Sequence, residues 1–187
     1  MEKEINIGIS NRHVHLSKEV YDLLFDEPYN ILKNLKQPGE FATDKVVTLK
    51  TDKFKIDNVK VLGPCRDYTQ VEIAKSDAIK FGINPPVRES GDLVGAEKIT
   101  IETPKNSVEV KACIIAQRHI HISKEEASNL GLTHGEKVLV KLGNEKFGII
   151  ESFVKIKDNA VLELHIDKDD ACAFLINQGD TAKIILK

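Results

Sequence analysis

One ten-residue stretch constrains this chain more than any other feature: Asn11-Arg-His-Val-His-Leu-Ser-Lys-Glu-Val20 returns as Gln117-Arg-His-Ile-His-Ile-Ser-Lys-Glu-Glu126, with six identities and three conservative changes. A second echo follows, in which Glu72–Asn84 aligns with His165–Asn177. The offsets are 106 and 93 residues, so the first copy carries 13 extra residues in its middle. Self-similarity of this kind means that one small structural unit has been used twice. A chain of 187 residues has room for two small, closely packed units. The repeat predicts a first unit over 11–116 and a second over 117–187.

Between the repeated motifs the pattern is mostly that of strands. Lys45–Lys50, Lys53–Leu62, Lys98–Glu102, Lys137–Lys141, Ala160–Leu164 and Lys183–Leu186 are short, β-branched and often alternate apolar with polar. Helices are few and short. Ser17 and Ser123 each follow a histidine strand and precede a charged, then apolar stretch, as N-caps do, and Glu126 completes a capping box with Ser123. Residues 76–83 and 169–176 read as a second short helix in each copy. The expected fold is mainly β: two small β-barrels from an internal repeat, each with short capping helices.

Composition narrows the partners. Net charge is −2, and a split at residue 110 gives 16 basic and 18 acidic residues before it against 11 and 11 after it, so neither half is basic enough to predict a nucleic-acid surface. The first residues are charged and run straight into an apolar strand pattern, and no apolar run is long enough for a membrane-spanning helix. A cytoplasmic protein is expected. Cys65, Cys113 and Cys172 are odd in number and form no C-x-x-C pair, which argues against a disulfide framework or a cysteine zinc finger. Cys113 and Cys172 read as small buried apolar residues.

The histidines carry the chemistry. Side chains alternate along an extended strand, so His13 and His15 share one face, as do His119 and His121. Each pair is a two-toothed metal clamp. The head of the second echo supplies a third ligand to each, Glu72 in one copy and His165 in the other. Two triads result, His13, His15, Glu72 and His119, His121, His165, with the ligand count of metal sites that keep a position open for substrate. Hydrogen-bonded pairs across a strand interface are the plainer alternative, but they give no reason for two parallel triads. Nitrogen and oxygen donors without thiolate suit zinc, with cobalt, iron, nickel and manganese also compatible. His134, in Leu-Thr-His-Gly-Glu, reads as a loop residue.

Arginine is scarce, with four among 27 basic residues. A guanidinium is a planar fork matched to phosphate or carboxylate oxygens. Arg66, six residues before Glu72, is the leading anion-binding candidate, with Arg88 second. Arg12 and Arg118 fall on the strand face opposite the histidines, which favours structural ion pairs.

Together, Arg12-His-Val-His-Leu-Ser17, Gly63-Pro-Cys-Arg-Asp-Tyr-Thr-Gln-Val-Glu72, Pro85-Pro-Val-Arg-Glu-Ser-Gly-Asp92 and Arg118-His-Ile-His-Ile-Ser123 resemble the PduL-type phosphotransacylases over nearly the whole chain. The resemblance implies two β-barrels with a dimetal site, usually zinc, between them. It also implies that the first strand, about residues 1–10, joins the C-terminal barrel. By position, His13, His15, Glu72, His119, His121 and His165 hold the metals and Arg66 holds phosphate. The expected substrates are acyl-CoA, phosphate and acyl phosphate, with coenzyme A as acceptor or leaving group, and the expected assembly is a homodimer. Relatives packaged in bacterial microcompartments often carry an amphipathic extension before the first strand. None is seen here, so a free enzyme acting on acetyl groups is expected alongside one acting on propanoyl groups.

The implied reaction is direct acyl transfer between CoA and phosphate at two metals, with no covalent acyl-enzyme. Cys65, beside Arg66, is the one residue positioned to act instead as a nucleophile. A dinuclear metallohydrolase of esters or phosphates is the alternative that the ligands alone permit, and a non-catalytic metal-binding module is a third reading. An amidohydrolase-like barrel also uses His-x-His but typically needs about 250 residues.

Overall fold

The structure, a computed structural model, describes residues 1–186, so Lys187, the last residue of the expected second unit, lies outside the described residues. In chain order the elements are β1 (Glu2–Ser10), β2 (His13–Ser17), α1 (Lys18–Leu24), β3 (Ile31–Asn34), β4 (Phe41–Lys50), β5 (Lys55–Arg66), β6 (Gln70–Glu72), α2 (Lys75–Phe81), β7 (Val87–Arg88) and β8 (Glu97–Glu102). There follow β9 (Ser107–Ala116), β10 (His119–Ile122), α3 (Lys124–Leu130), β11 (Lys137–Leu142), β12 (Gly148–Ile156), β13 (Glu163–Asp167), α4 (Lys168–Ala173) and β14 (Thr181–Ile185). The fold is mainly β, with two six-stranded barrels and short helices.

The chain divides into two compact units, Met1–Asn11 with Gln117–Lys187, and Arg12–Ala116. In the first unit the strands close in the order β1-β13-β10-β12-β11-β14 and back to β1. In the second, β4-β5-β2-β6-β9-β8 closes on β4, with β3 added beside β4 and β7 beside β9. Closure leaves few free sheet edges, the ordinary hazard of small β proteins, and those that remain are the short strands β3 and β7. The two rings match strand for strand. β10 and β2 each pair parallel with one neighbour, β12 or β5, and antiparallel with the other, β13 or β6. β1 occupies in one ring the place that β9 occupies in the other, parallel to β13 or β6 and antiparallel to β14 or β8. Each copy thus gives the strand preceding its histidine motif to the opposite ring.

Period-two alternation explains the inward and outward faces. In β11, Val138, Val140 and Leu142 turn into the core and Lys137 and Leu139 stay exposed; in β14, Ala182 and Ile184 turn in and Lys183 out. One core gathers Ile7, Ile120, Ile122, Val140, Leu164 and Ile184, all with 0 % exposure. The other gathers Val14, Leu16, Leu49, Val71, Ile101 and Cys113.

Three local expectations need correction. The strand expected at Ala160–Leu164 begins only at Glu163, because a turn through Asn159 (φ 59°), closed by Ala160 N–H to the Lys157 carbonyl, precedes it. The strand expected at Lys53–Leu62 starts at Lys55, after a turn from Thr51 to Phe54, and runs on to Arg66. Cys172, expected to be buried, is exposed, since its short helix turns that side outward. The helix starts follow their caps. Ser17 and Ser123 accept from the backbone N–H groups of Val20 and Glu126. The Glu126 carboxylate meets the Ser123 hydroxyl at 3.0 Å, which closes the box through the side chain.

Each copy carries the same clasp. Arg12 donates from Nε and Nη2 to the two carboxylate oxygens of Asp77, both at 2.9 Å, and Arg118 does the same to Asp170 at 2.8 and 2.6 Å. The forks tie the start of a histidine strand to the first turn of the helix that follows the third candidate ligand. Asp77 is wholly buried, and the fork pairs its carboxylate there. Asp77→Asn keeps the shape but removes the charge, and the expected result is a loss of about 1.5–3 kcal/mol in urea unfolding. An unchanged midpoint would mean that the fork contributes nothing to stability.

Candidate metal centre

Core packing decides where the histidines point. Val14 and Leu16 of β2 are fully buried in the core, so His13 and His15 project from the other face; Ile120 and Ile122 of β10 do the same for His119 and His121. On the neighbouring strands Val71 and Leu164 turn inward, leaving Glu72 and His165 on the histidine face. Register completes each group: His13 lies opposite Glu72, and His119 lies opposite His165.

The structure brings together all six predicted ligands as two groups. His13, His15 and Glu72 offer ligand atoms within 4.8 Å of one another, and so do His119, His121 and His165. His13 Nε2 lies 3.5 Å from Glu72 Oε2. His119 Nε2 lies 3.1 Å from His121 Nε2, with the two rings edge to face at 4.6 Å between centroids.

Burial first, then the neighbouring histidine, holds both His15 and His121 down to about 2, so their rings are neutral and keep a lone pair to give. The tautomers show why a cation fits. His119 Nδ1 faces the Gln117 carbonyl at 2.8 Å, which only accepts, so the proton sits there and Nε2 presents a lone pair to His121. His121 Nδ1 is buried without a hydrogen-bond partner. With the His121 proton on Nδ1 a buried donor is stranded and two lone pairs oppose each other; with it on Nε2 a buried acceptor is stranded. A cation bound by the two Nε2 lone pairs turns their opposition into shared coordination. His15 Nδ1 is likewise buried without a partner of ordinary geometry. Three nitrogen or oxygen donors per group, without sulfur, fit a divalent metal that keeps an open position.

Arg66 ends β5 beside the first triad. Its Nη1 donates to Tyr68 Oη at 3.2 Å and Ser90 Oγ at 3.0 Å, and Nη2 lies 3.6 Å from Glu40 Oε1. Ser90 Oγ also accepts from Gln70 Nε2 at 2.9 Å, and the same amide donates to Glu72 Oε1 at 2.6 Å. Gly91 N–H donates to Gln70 Oε1 at 2.8 Å, which fixes the amide orientation. A continuous relay therefore joins the guanidinium to a triad carboxylate. Arg88 is engaged elsewhere: Nε donates to the Val94 carbonyl at 2.9 Å, Nη1 donates to the Val87 carbonyl at 3.0 Å, and Asp92 lies 3.4 Å away.

Sequence reasoning missed Gln70, Ser90 and Glu163. Gln70 and Glu163 each stand two residues before a triad member on the same strand, so the two-residue period carried the signal. Ser90 had only its place in the Pro-Pro-Val-Arg-Glu-Ser motif. His134 stands apart, accepting from Ile156 N–H at 3.1 Å. Among the described residues no helix is long and apolar enough to cross a membrane.

The cysteines differ in reactivity. Burial pushes the half-buried Cys65 thiol up and the Cys113 thiol to about 12, which disfavours the nucleophilic thiolate at both. Cys65 packs against the apolar core of its unit. With iodoacetamide at pH 8, read by peptide mass spectrometry, Cys172 should label first, Cys65 slowly and Cys113 only after unfolding. Rapid labelling of Cys65 would revive it as a nucleophile.

Comparison with known proteins places this architecture. The phosphate propanoyltransferase family model matches residues 6–177. A phosphate propanoyltransferase of Thermotoga maritima is 42% identical over 98% of this chain and 90% of its own length. Those of Levilactobacillus brevis (41%, over 97% of this chain and 88% of its own) and Clostridioides difficile (40%, over 100% and 91%) are similarly related. The chain is an acyltransferase belonging to the phosphate propanoyltransferase family.

Proposed function

We propose that this enzyme interconverts acyl-CoA and phosphate with acyl phosphate and CoA by direct transfer, using two divalent metals, one in each triad, with zinc favoured by the donor set. The observation that carries the reading is the relay from Arg66 through Ser90 and Gln70 to Glu72. It couples an anion-binding fork to a metal-binding carboxylate, as a reaction between phosphate and a polarised thioester requires.

When bound, the metals supply Lewis-acid charge for the phosphate oxygens and the departing sulfur. Arg66 grips phosphate with the guanidinium edge that Tyr68 and Ser90 hold in place. Glu40, 3.6 Å from Nη2, keeps the fork paired until the anion displaces it. A phosphate oxygen attacks the thioester carbonyl, the carbon–oxygen bond forms, the carbon–sulfur bond breaks, and its electron pair leaves on the CoA sulfur. Holding both substrates in one frame removes most of the entropic cost of their encounter, so no protein nucleophile is needed. The raised Cys65 thiol agrees with that. Arg88 is assigned to its own loop rather than to phosphate, because its donors already serve the Val87 and Val94 carbonyls. Acetyl and propanoyl are the candidate acyl groups, and a cytoplasmic homodimer accompanies the reading.

The test mixes the protein with CoA and either acetyl or propanoyl phosphate and follows thioester formation with and without a metal chelator. Thioester should form, stop on chelation and return with added zinc, and Arg66→Lys should lose about 100-fold or more in kcat/KM. Undiminished turnover after complete metal removal would contradict the two-metal reading. Loss of acyl phosphate without thioester would point to the hydrolase.

A further inference from the structure

The first triad contains a carboxylate ligand, and the second contains three imidazoles. Beside the second triad lies an acidic side chain that neither the ligand set nor the proposed reaction uses. Glu163 is only 2 % exposed, and its Oε2 meets His165 Nε2 at 2.8 Å. A carboxylate is costly to bury unless it is hydrogen-bonded and faces positive charge.

The repeat identifies its counterpart. Gln70 precedes Glu72 by two residues as Glu163 precedes His165, at the same offset of 93, and His15 lies opposite Gln70 as His121 lies opposite Glu163. The two pairs are chemically inverted. The Glu72 carboxylate only accepts, and Gln70 brings it an amide donor at 2.6 Å. The His165 ring has one N–H to place, and Glu163 brings it an acceptor. Between them, Glu72 and Glu163 put one carboxylate at each triad.

Resting on the two-metal reading above, we propose that Glu163 is the positioning residue for His165: it accepts a hydrogen bond from Nε2–H, leaves the Nδ1 lone pair for the metal, and supplies that site's negative charge. Such carboxylate–histidine pairs raise ligand basicity and fix the ring. The packing around this pair is tight. Gly8 stands opposite His165 on β1, and a Cβ there would lie 2.9 Å from the Glu163 carboxyl carbon and 3.0 Å from His165 Cδ2. The glycine leaves the space that the paired side chains fill.

The experiment strips the full-length enzyme of metal and titrates it with cobalt(II) and zinc, reading stoichiometry and affinity by chelator competition and the coordination sphere by cobalt visible absorption. Wild type should take two equivalents. Glu163→Ala should weaken one site by about 10- to 100-fold, alter only that site's cobalt spectrum and leave the other unchanged. Glu163→Gln keeps an acceptor of the same reach and should fall between the two; it carries the test should the alanine variant fail to fold. Gln70→Ala should weaken the opposite site. Two equivalents at wild-type affinity in both Glu163 variants, or equal weakening of both sites, would overturn the proposal. A wild type that binds no metal would overturn the two-metal reading together with it, a result plainly different from an unaffected variant.

Discussion

The two-residue period of the histidine strands is the constraint on which everything else rests. Val14 and Leu16, like Ile120 and Ile122, are committed to the interiors of closed barrels, and a shift of one residue would expose them and bury imidazoles in the core. Their apolar burial, about 1.5–3 kcal/mol for each large side chain, locks the faces on which the histidines stand. Strand pairing then delivers the third candidate ligand without any loop having to find it, since Glu72 and His165 sit directly across from His13 and His119. A site built on paired strands of a closed barrel is held by the whole ladder, which suits a reaction that must align two substrates.

Duplication produced symmetric triads, but the surroundings differ where the copies differ. The segment between α1 and β4 is longer in the first copy, and it brings Glu40 to Arg66. The loop after α2 brings Ser90 and Gly91 to Gln70. Arg66 therefore gains Glu40 and Ser90 from parts of the chain that the repeat does not share. The two candidate triads therefore differ in their surroundings, with the proposed phosphate-binding Arg66 linked through Ser90 and Gln70 to Glu72 of the first.

Much of this was legible in the sequence because it depends on local pattern. The repeated Arg-His-x-His-x-Ser motif contains the strand, its outward ligands and the cap of the next helix, all set by period and capping chemistry. The six candidate ligands follow from alternation and the offset of the second echo, and the structure groups those same six side chains. Other features depend on the rest of the chain. The start of β13 is set by its pairing with β1 and β10, a contact between residues far apart in sequence, so apolar content alone put the strand at Ala160. Cys172 sits in an apolar-looking stretch, yet its helix is only six residues long and shows that side to solvent. Gln70 and Glu163 escaped notice because an alignment beginning at Glu72 and His165 stops two residues short of them.

Two separate triads are proposed to hold one divalent ion each. Anomalous X-ray diffraction at the zinc edge, on crystals of the zinc-loaded enzyme, tests it most directly. Two anomalous peaks are expected, one within about 2.0–2.2 Å of ligand atoms of His13, His15 and Glu72, and the other at the same range from His119, His121 and His165. A single peak, or peaks whose ligands lie outside these six residues, would contradict it.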